Sequence, residues 1–415
     1  MASGAPPNSV DSPQIRNRTR FLDRTAGGAR DPLHQHPDLF RIPCEPFTVA
    51  TDDAVRAAAA AGAVFVFNLS GGKDSGALSH AGMAWLDSVG HPRSRRHAIH
   101  ADLGRAEWRS TPDTVAATAA HLGLPLIVVR RGAGDLVARW EKRFANAKAR
   151  YADLATYNLI GPWSQANKRF CTSELKAQVI GPEMARRFRG QTVVQVLGLR
   201  RTESANRAAT AVSQPDTRFA KLGNRHGTAM RLWHPGVDWT TDEVFACHAQ
   251  HGIPLHEAYT VYGSSRLSCA FCVLGSAPDL AAAADAAGNR PLFRHLVDLE
   301  ATSTFSFQPN RWLADVAPQQ LPAGLAADIA RAKRDAAERR AVEGAMPPGL
   351  RYFKGWPPRM PTHDEAAAIV AARRPILGRH GLPNLFPTAA SVSARFERLL
   401  AAKAARGAAH AVSGP

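Results

Sequence analysis

From Ala50 onward the chain alternates short apolar runs with longer stretches of helical period. "AVFVFNLS" is continuous and apolar, as expected of a parallel strand covered on both faces. "GALSHAGMAWLDSVG" follows with helical spacing and stops at Gly90. "RRHAIHADLG" reads as a second strand ending in Asp102. "TPDTVAATAAHLG" predicts a helix with Thr111 as N-cap, Pro112 in the first turn and Gly123 past the end. "LPLIVVRR" predicts a third strand, residues 139–150 a basic helix, and residues 173–188 another helix. "TVVQVLGLR" and "MRLWHP" predict a fourth and a fifth strand. "TTDEVFACHAQHG" opens on a capping box, Thr240 with Glu243.

Strands alternating with helices argue for an α/β fold with an open, mostly parallel, Rossmann-like sheet. Ligands of such sheets sit outside the carboxyl ends of the strands, which directs attention to residues 70–75, 102–105 and 198–207. Three regions are expected: a Pro/Ser/Asn/Arg-rich mobile tail over 1–45, the α/β domain over 46–300, and an Ala/Arg-rich helical C-terminal appendage over 301–415. The appendage carries no chemical motif, so packing or partner contact is its expected role, and no internal repeat is visible.

The 415 residues include 52 Lys+Arg against 35 Asp+Glu, a formal charge of +17. That balance points to an anionic partner such as a nucleotide or nucleic acid, or else to a solvated basic surface. No apolar run approaches the roughly 18 residues of a membrane span, so no membrane partner is expected. The polar first residues lack a signal-peptide core. The expected location is the cytoplasm, where the five cysteines are free, metal-bound or reactive rather than paired.

The densest chemistry is "SGGKDS", Ser70, Gly71, Gly72, Lys73, Asp74 and Ser75, between a buried strand and a helix. Small residues let the backbone approach a ligand. Helix-start N–H groups favour an anion, the two serines add hydroxyls and Lys73 a mobile charge. The glycine spacing differs from the mononucleotide P-loop, which ends in GK[ST]. Asp102, at a strand's carboxyl end, suits a ribose hydroxyl or a metal ion. Arg200 and Arg207 suit phosphate or sulfate, with Glu203 to orient them.

"SGGKDS" resembles the PP-loop of the ATP pyrophosphatase superfamily, and its neighbours resemble the phosphoadenosine-phosphosulfate (PAPS) reductase-like branch. These are "HADLGRAEWRSTPDTV", "RFCTSELK", "GLRRTESANR" from Gly198, "HPGVDWTTDEVFACHAQHGIPLHEAY" and "SRLSCAFC", in the family's order over roughly residues 60–280. The resemblance implies an adenine nucleotide alpha-hydrolase-like fold. It implies binding of ATP, or of an adenylyl-sulfate nucleotide, with Mg2+, and cleavage to AMP and pyrophosphate. It implies phosphate contacts from the 70–75 loop, with Lys73, Asp74, Cys171 and Arg200 catalytic.

Cys171, Cys269 and Cys272 fall in the family-like segments. Cys171 stands at a predicted helix start, which favours a thiolate. Relatives with an iron–sulfur cluster generally supply four cysteines, often an adjacent pair where this chain has Phe170-Cys171. Three readings follow: a 4Fe-4S cluster held by three cysteines with one iron open, a structural zinc site, or a metal-free redox pair of Cys269 and Cys272. Cys247 follows helical spacing with Val244 and His251 and reads as core; Cys44 is discounted beside the tail. Assimilatory PAPS reductases carry a nucleophilic cysteine near the C-terminus, whereas no cysteine follows Cys272 here. Activation of an acceptor by ATP followed by sulfur transfer is therefore expected, with nucleic acid as a natural acceptor and a protein as sulfur donor. PAPS or adenylyl-sulfate reduction, and a non-catalytic nucleotide-gated nucleic-acid-binding module, are the alternatives.

Overall fold

The computed structural model describes residues 47–165, 169–221, 223–353 and 355–412, with 407–412 described by backbone alone. The tail expected over 1–45, with Cys44, lies outside the described residues.

Six strands form one sheet: β1 (Val64–Asn68), β2 (Arg96–Asp102), β3 (Leu126–Arg130), β4 (Thr192–Val196), β5 (Ser213–Pro215) and β6 (Ala229–Trp233). Their order is β3-β2-β1-β4-β6-β5. All neighbours are parallel except β5 on β6, which is antiparallel. The sheet was expected to hold five strands; the additional one, β5, is only "SQP" and has no apolar period.

Side chains alternate across β1. Phe65 and Phe67 pack with Met83, Leu86, Val115 and Ala119 from the helices Lys73–Ser88 and Thr111–His121. Val64 and Val66 pack on the opposite face with Ile180 and Met184 of the helix Gln178–Arg187. This two-sided burial is why β1 reads as an unbroken apolar run. The chain leaves β1 in one direction toward β2 and β3, then returns to place β4 on the other side. β1 and β4 thus flank the point where strand order reverses, and the loops after them open into that crevice.

Two local expectations shift. The N-cap of the Thr111–His121 helix is Ser110, with Thr111 its first residue. The basic helix runs Leu136–Ala152, capped by Asp135, whose carboxylate accepts from the Ala138 N–H.

The boundary expected at residue 300 falls within the helix Arg290–Ser303. A single core continues from Leu103 and Trp140 through Phe271 and Phe293 to Ile329 and Ala336. Beyond it, Leu350, Tyr352, Ile369 and Phe396 enclose Leu154 and Tyr157. The helices Ala323–Ala345 and His363–Arg379 bury part of their charge there. Arg373 is 1 % exposed, its guanidinium 4.4 Å over the Tyr151 ring. Arg339 bonds Glu343 and the Thr304 carbonyl. No helix among the described residues is long and apolar enough to cross a membrane.

Candidate functional site

The carboxyl ends of β1 and β4 are joined by Asn68, whose amide donates to the carbonyls of Val66 and Val196. The chain then turns through Ser70–Gly72 into the helix Lys73–Ser88. Gly71 takes φ +75°, a left-handed conformation that favours glycine. Ser75 Oγ donates to the Gly72 carbonyl at 2.8 Å and lies 3.1 Å from Ser70 Oγ, so the two hydroxyls brace the turn. No side chain caps the helix at Gly72. Its N-cap residue thus leaves the positive dipole end at the crevice uncapped, with the Lys73 N–H held by the Tyr259 hydroxyl at 3.4 Å. Gly198, after β4, packs on this turn: a Cβ there would lie 2.7 Å from Ser75 N and 2.8 Å from the Asp74 carbonyl carbon.

Lys73 and Asp74 are used differently from the sequence expectation. Lys73 was read as a mobile charge. It is buried, with Nζ 3.1 Å from Asp74 Oδ2 and held 5.5 Å from the Tyr259 ring and 5.8 Å from that of Phe245. Arg200 was read as a phosphate ligand. It is 4 % exposed and spends Nε on Asp74 Oδ1 at 2.6 Å, with further bonds to Thr202, the Trp239 carbonyl and Thr241. Burial pushes the Asp74 carboxyl up, but Lys73 and Arg200 outweigh it and hold the group below the usual carboxylate range. Asp74 is thus the hub of a buried cation–anion–cation array beneath the loop.

Arg207 remains above that array, ion-paired with Glu203. Burial, and then repulsion from Arg169, Arg266 and Arg200, pull its proton affinity below the ordinary arginine value, with Asp74 acting the other way. Arg207 thus feels the charge of three further arginines, a local excess of positive charge that favours an anion. Arg169 and Arg266 were not identified from the sequence. Each stands just before a cysteine segment, "RFC" and "RLSC", and that adjacency was the available signal.

Asp102 sits at the carboxyl end of β2. Its Oδ1 accepts from the Gly104 N–H at 2.6 Å and its Oδ2 is ion-paired with Arg130. Nearby, His100 bonds the Leu69 carbonyl and Glu107. Burial lowers its proton affinity, but Glu107 reverses this and raises it overall.

Cys171 lies in a single helical turn, Phe170–Thr172, that runs into a π-helical turn, Ser173–Ala177. Such turns recur at functional sites. The Phe170 ring is stacked by Arg139 at 4.5 Å and Arg143 at 5.6 Å. Cys269 and Cys272 are on a loop fixed by the Ala270 N–H on the Ala106 carbonyl, and by Gln308 Nε2 on the carbonyls of Val273 and Gly275. Burial raises the Cys269 thiol; Cys272 and Cys171 raise it further, against an opposing pull from Lys176. The three thiols therefore share one neighbourhood. Their softness suits iron–sulfur or zinc chemistry. Yet among the described residues no three His, Cys, Asp or Glu side chains are arranged as a metal-ligand set. Cys247 is fully buried against Ala77, Leu78 and Val244, and burial pushes its thiol up to about 12.

Tyr259 connects the two centres; it closes the family-like segment quoted from His234 but was not singled out. Its hydroxyl oxygen accepts from Lys73 N at 3.4 Å and from Leu267 N at 2.8 Å, two residues before Cys269.

Residues 64–274, from the start of β1 to just beyond Cys272, match the family described as phosphoadenosine phosphosulfate reductase domain. No curated protein matches the chain.

Proposed function

The chain belongs to the phosphoadenosine phosphosulfate reductase domain family, a family of PP-loop nucleotide-binding proteins, and from this we propose that it cleaves ATP to AMP and pyrophosphate to activate an acceptor for sulfur transfer. The observation that carries the reading is the 70–75 loop itself: a helix start with no side-chain N-cap, braced by two serines, over Asp74 and Arg200, with Arg207 close enough to feel the charge of both. Loop N–H groups and Arg207 would bind the phosphates. Lys73 and Arg200 act from below, by fixing Asp74 and the turn. An acceptor oxygen attacks the α-phosphorus, the bond to the bridging oxygen breaks, and pyrophosphate leaves with that oxygen. A sulfur nucleophile then displaces AMP from the activated acceptor.

Magnesium supplies charge neutralisation for a leaving pyrophosphate. Both carboxylates singled out at the strand ends, Asp74 and Asp102, already hold cations, so the metal would arrive on the nucleotide's phosphates. Cys171, Cys269 and Cys272 are the residues that would hold a cluster or a transferable sulfur. A cluster bound there would offer an open iron for sulfide. The basic surface, +17 over the chain, favours a nucleic-acid acceptor.

The test is product analysis with ATP and Mg2+. AMP with pyrophosphate is expected, and ADP with inorganic phosphate would remove the assignment. Sulfite from PAPS in the presence of thioredoxin would move the reading to a reductase. Iron and acid-labile sulfide on protein purified without oxygen decide the role of the cysteines: about four irons per chain, lost in Cys171→Ala, is the cluster outcome.

A further inference from the structure

We propose that His248 is a positioning residue for the phosphate loop, tying the first residue of the loop helix to the turn at Ile253 and strengthening that tie when its ring is doubly protonated. The inference rests on the reading of residues 70–75 as an anion site.

His248 projects from the helix Thr241–His251 and is 3 % exposed. Its Nε2 lies 2.7 Å from the Lys73 carbonyl oxygen and its Nδ1 lies 3.1 Å from that of Ile253. The Ile253 N–H returns a bond to the His248 carbonyl. The ring also packs closely on the loop helix at Gly76, where a Cβ would come 2.9 Å from Cε1.

Both partners of the imidazole are carbonyl oxygens, which only accept. A neutral ring has one N–H to give. The shorter contact assigns that hydrogen to Nε2 and the Lys73 oxygen, which leaves the Nδ1 lone pair facing the Ile253 oxygen. Protonation turns this second contact into a hydrogen bond. The imidazolium then clamps Lys73 to the 253 turn and adds a positive charge directly behind the loop.

The charged and titratable groups around the ring are few. The loop helix presents Lys73, Asp74 and His80. On the ring's own helix, His251 stacks on His80 at 4.3 Å, and His121 approaches His80 from a third helix at 5.7 Å. Burial lowers the proton affinity of His248, and Lys73 lowers it further. The two carbonyls and Asp74 act oppositely, and the net direction is down. The ring is therefore neutral when the loop is empty near pH 7. An anion on the loop favours the charged form, and by linkage the charged form favours the anion. Affinity must then rise as pH falls through the ring's range.

Inorganic sulfate is a suitable probe, because its own charge is constant from about pH 5.5 to pH 8. For the wild-type protein, sulfate affinity should rise over that fall in pH. His248→Phe should bind about tenfold more weakly, the loss of one hydrogen bond to a buried carbonyl. His248→Gln retains an amide N–H for Lys73 and should recover the affinity near pH 8 with a flat pH profile. His251→Gln should keep the wild-type profile. Nitrogen-15 NMR of the histidines, without ligand, should show His248 as the Nε2–H tautomer. An Nδ1–H tautomer, or a wild-type pH profile in His248→Gln, overturns the inference alone. A wild-type protein that binds no sulfate at any pH overturns the anion-site reading and the inference with it.

Discussion

Asp74→Asn is the substitution that most directly tests the array beneath the loop. The carboxylate is 16 % exposed and holds Lys73, 7 % exposed, and Arg200, 4 % exposed, at 3.1 and 2.6 Å. An amide keeps the volume but removes the charge, and its NH2 faces two cations. Arg200 keeps its bonds to Thr202, Trp239 and Thr241, so the stranded group is Lys73, confined beside Phe245 and Tyr259. Removing one member of a buried ion pair costs about 3–5 kcal/mol. With Arg200 still satisfied, the lower end applies, about 3 kcal/mol in urea unfolding. Saturating pyrophosphate should recover part of that deficit, because an anion on the loop replaces the missing charge. The pH sign also follows. Asp74 has its folded-state pKa held below the unfolded value near 3.9, so its contribution is complete above about pH 4 and is lost as pH falls through the depressed value. The variant should lack this component of acid sensitivity. A deficit under about 1 kcal/mol would refute the buried-hub argument. A deficit indifferent to pyrophosphate would refute the anion site above it.

Gly198→Ala should abolish nucleotide binding at a cost of about 1–3 kcal/mol in stability, since the new Cβ meets loop backbone that cannot step aside; equilibrium binding and urea unfolding check both halves. Glu300 makes a second pH prediction. Its buried carboxylate accepts the N–H groups of Phe307, Leu313 and Ala314, yet burial dominates and raises its pKa to about 7. The folded state thus holds a proton that the unfolded chain releases near pH 4, so stability should fall between about pH 4 and pH 7 and level off above. Glu300→Gln should flatten that slope in thermal unfolding measured across the range.

The parts that were legible in the sequence are those whose cause is local. β1 and β4 announce themselves because burial on both faces forces apolar runs, and β3, half-exposed at the sheet edge, is legible from its β-branched residues. The 70–75 loop is legible because its chemistry is contiguous. β5 was not, since three residues pairing at a sheet edge leave no periodic trace. Tyr259 and Lys73 are 186 positions apart, and His248 and Lys73 are 175 apart. Only the folded topology brings them together, and a lone Tyr or His in a helix signals core as readily as function. The same holds for Arg373 and Arg339: packing or partner contact was expected of their Ala/Arg-rich helices, but not that guanidinium groups would be buried there. Lys73 and Arg200 show the reverse case: the residues were identified, but their partner proved to be Asp74, which adjacency to Lys73 hinted at and the return of β4 made possible.

The hydroxyl oxygen of Tyr259 has two lone pairs, and both are committed, one to Lys73 and one to Leu267. Neither loop can leave that oxygen without altering what the other feels. The 70–75 turn and the turn that leads to Cys269 and Cys272 are consequently anchored on one shared atom.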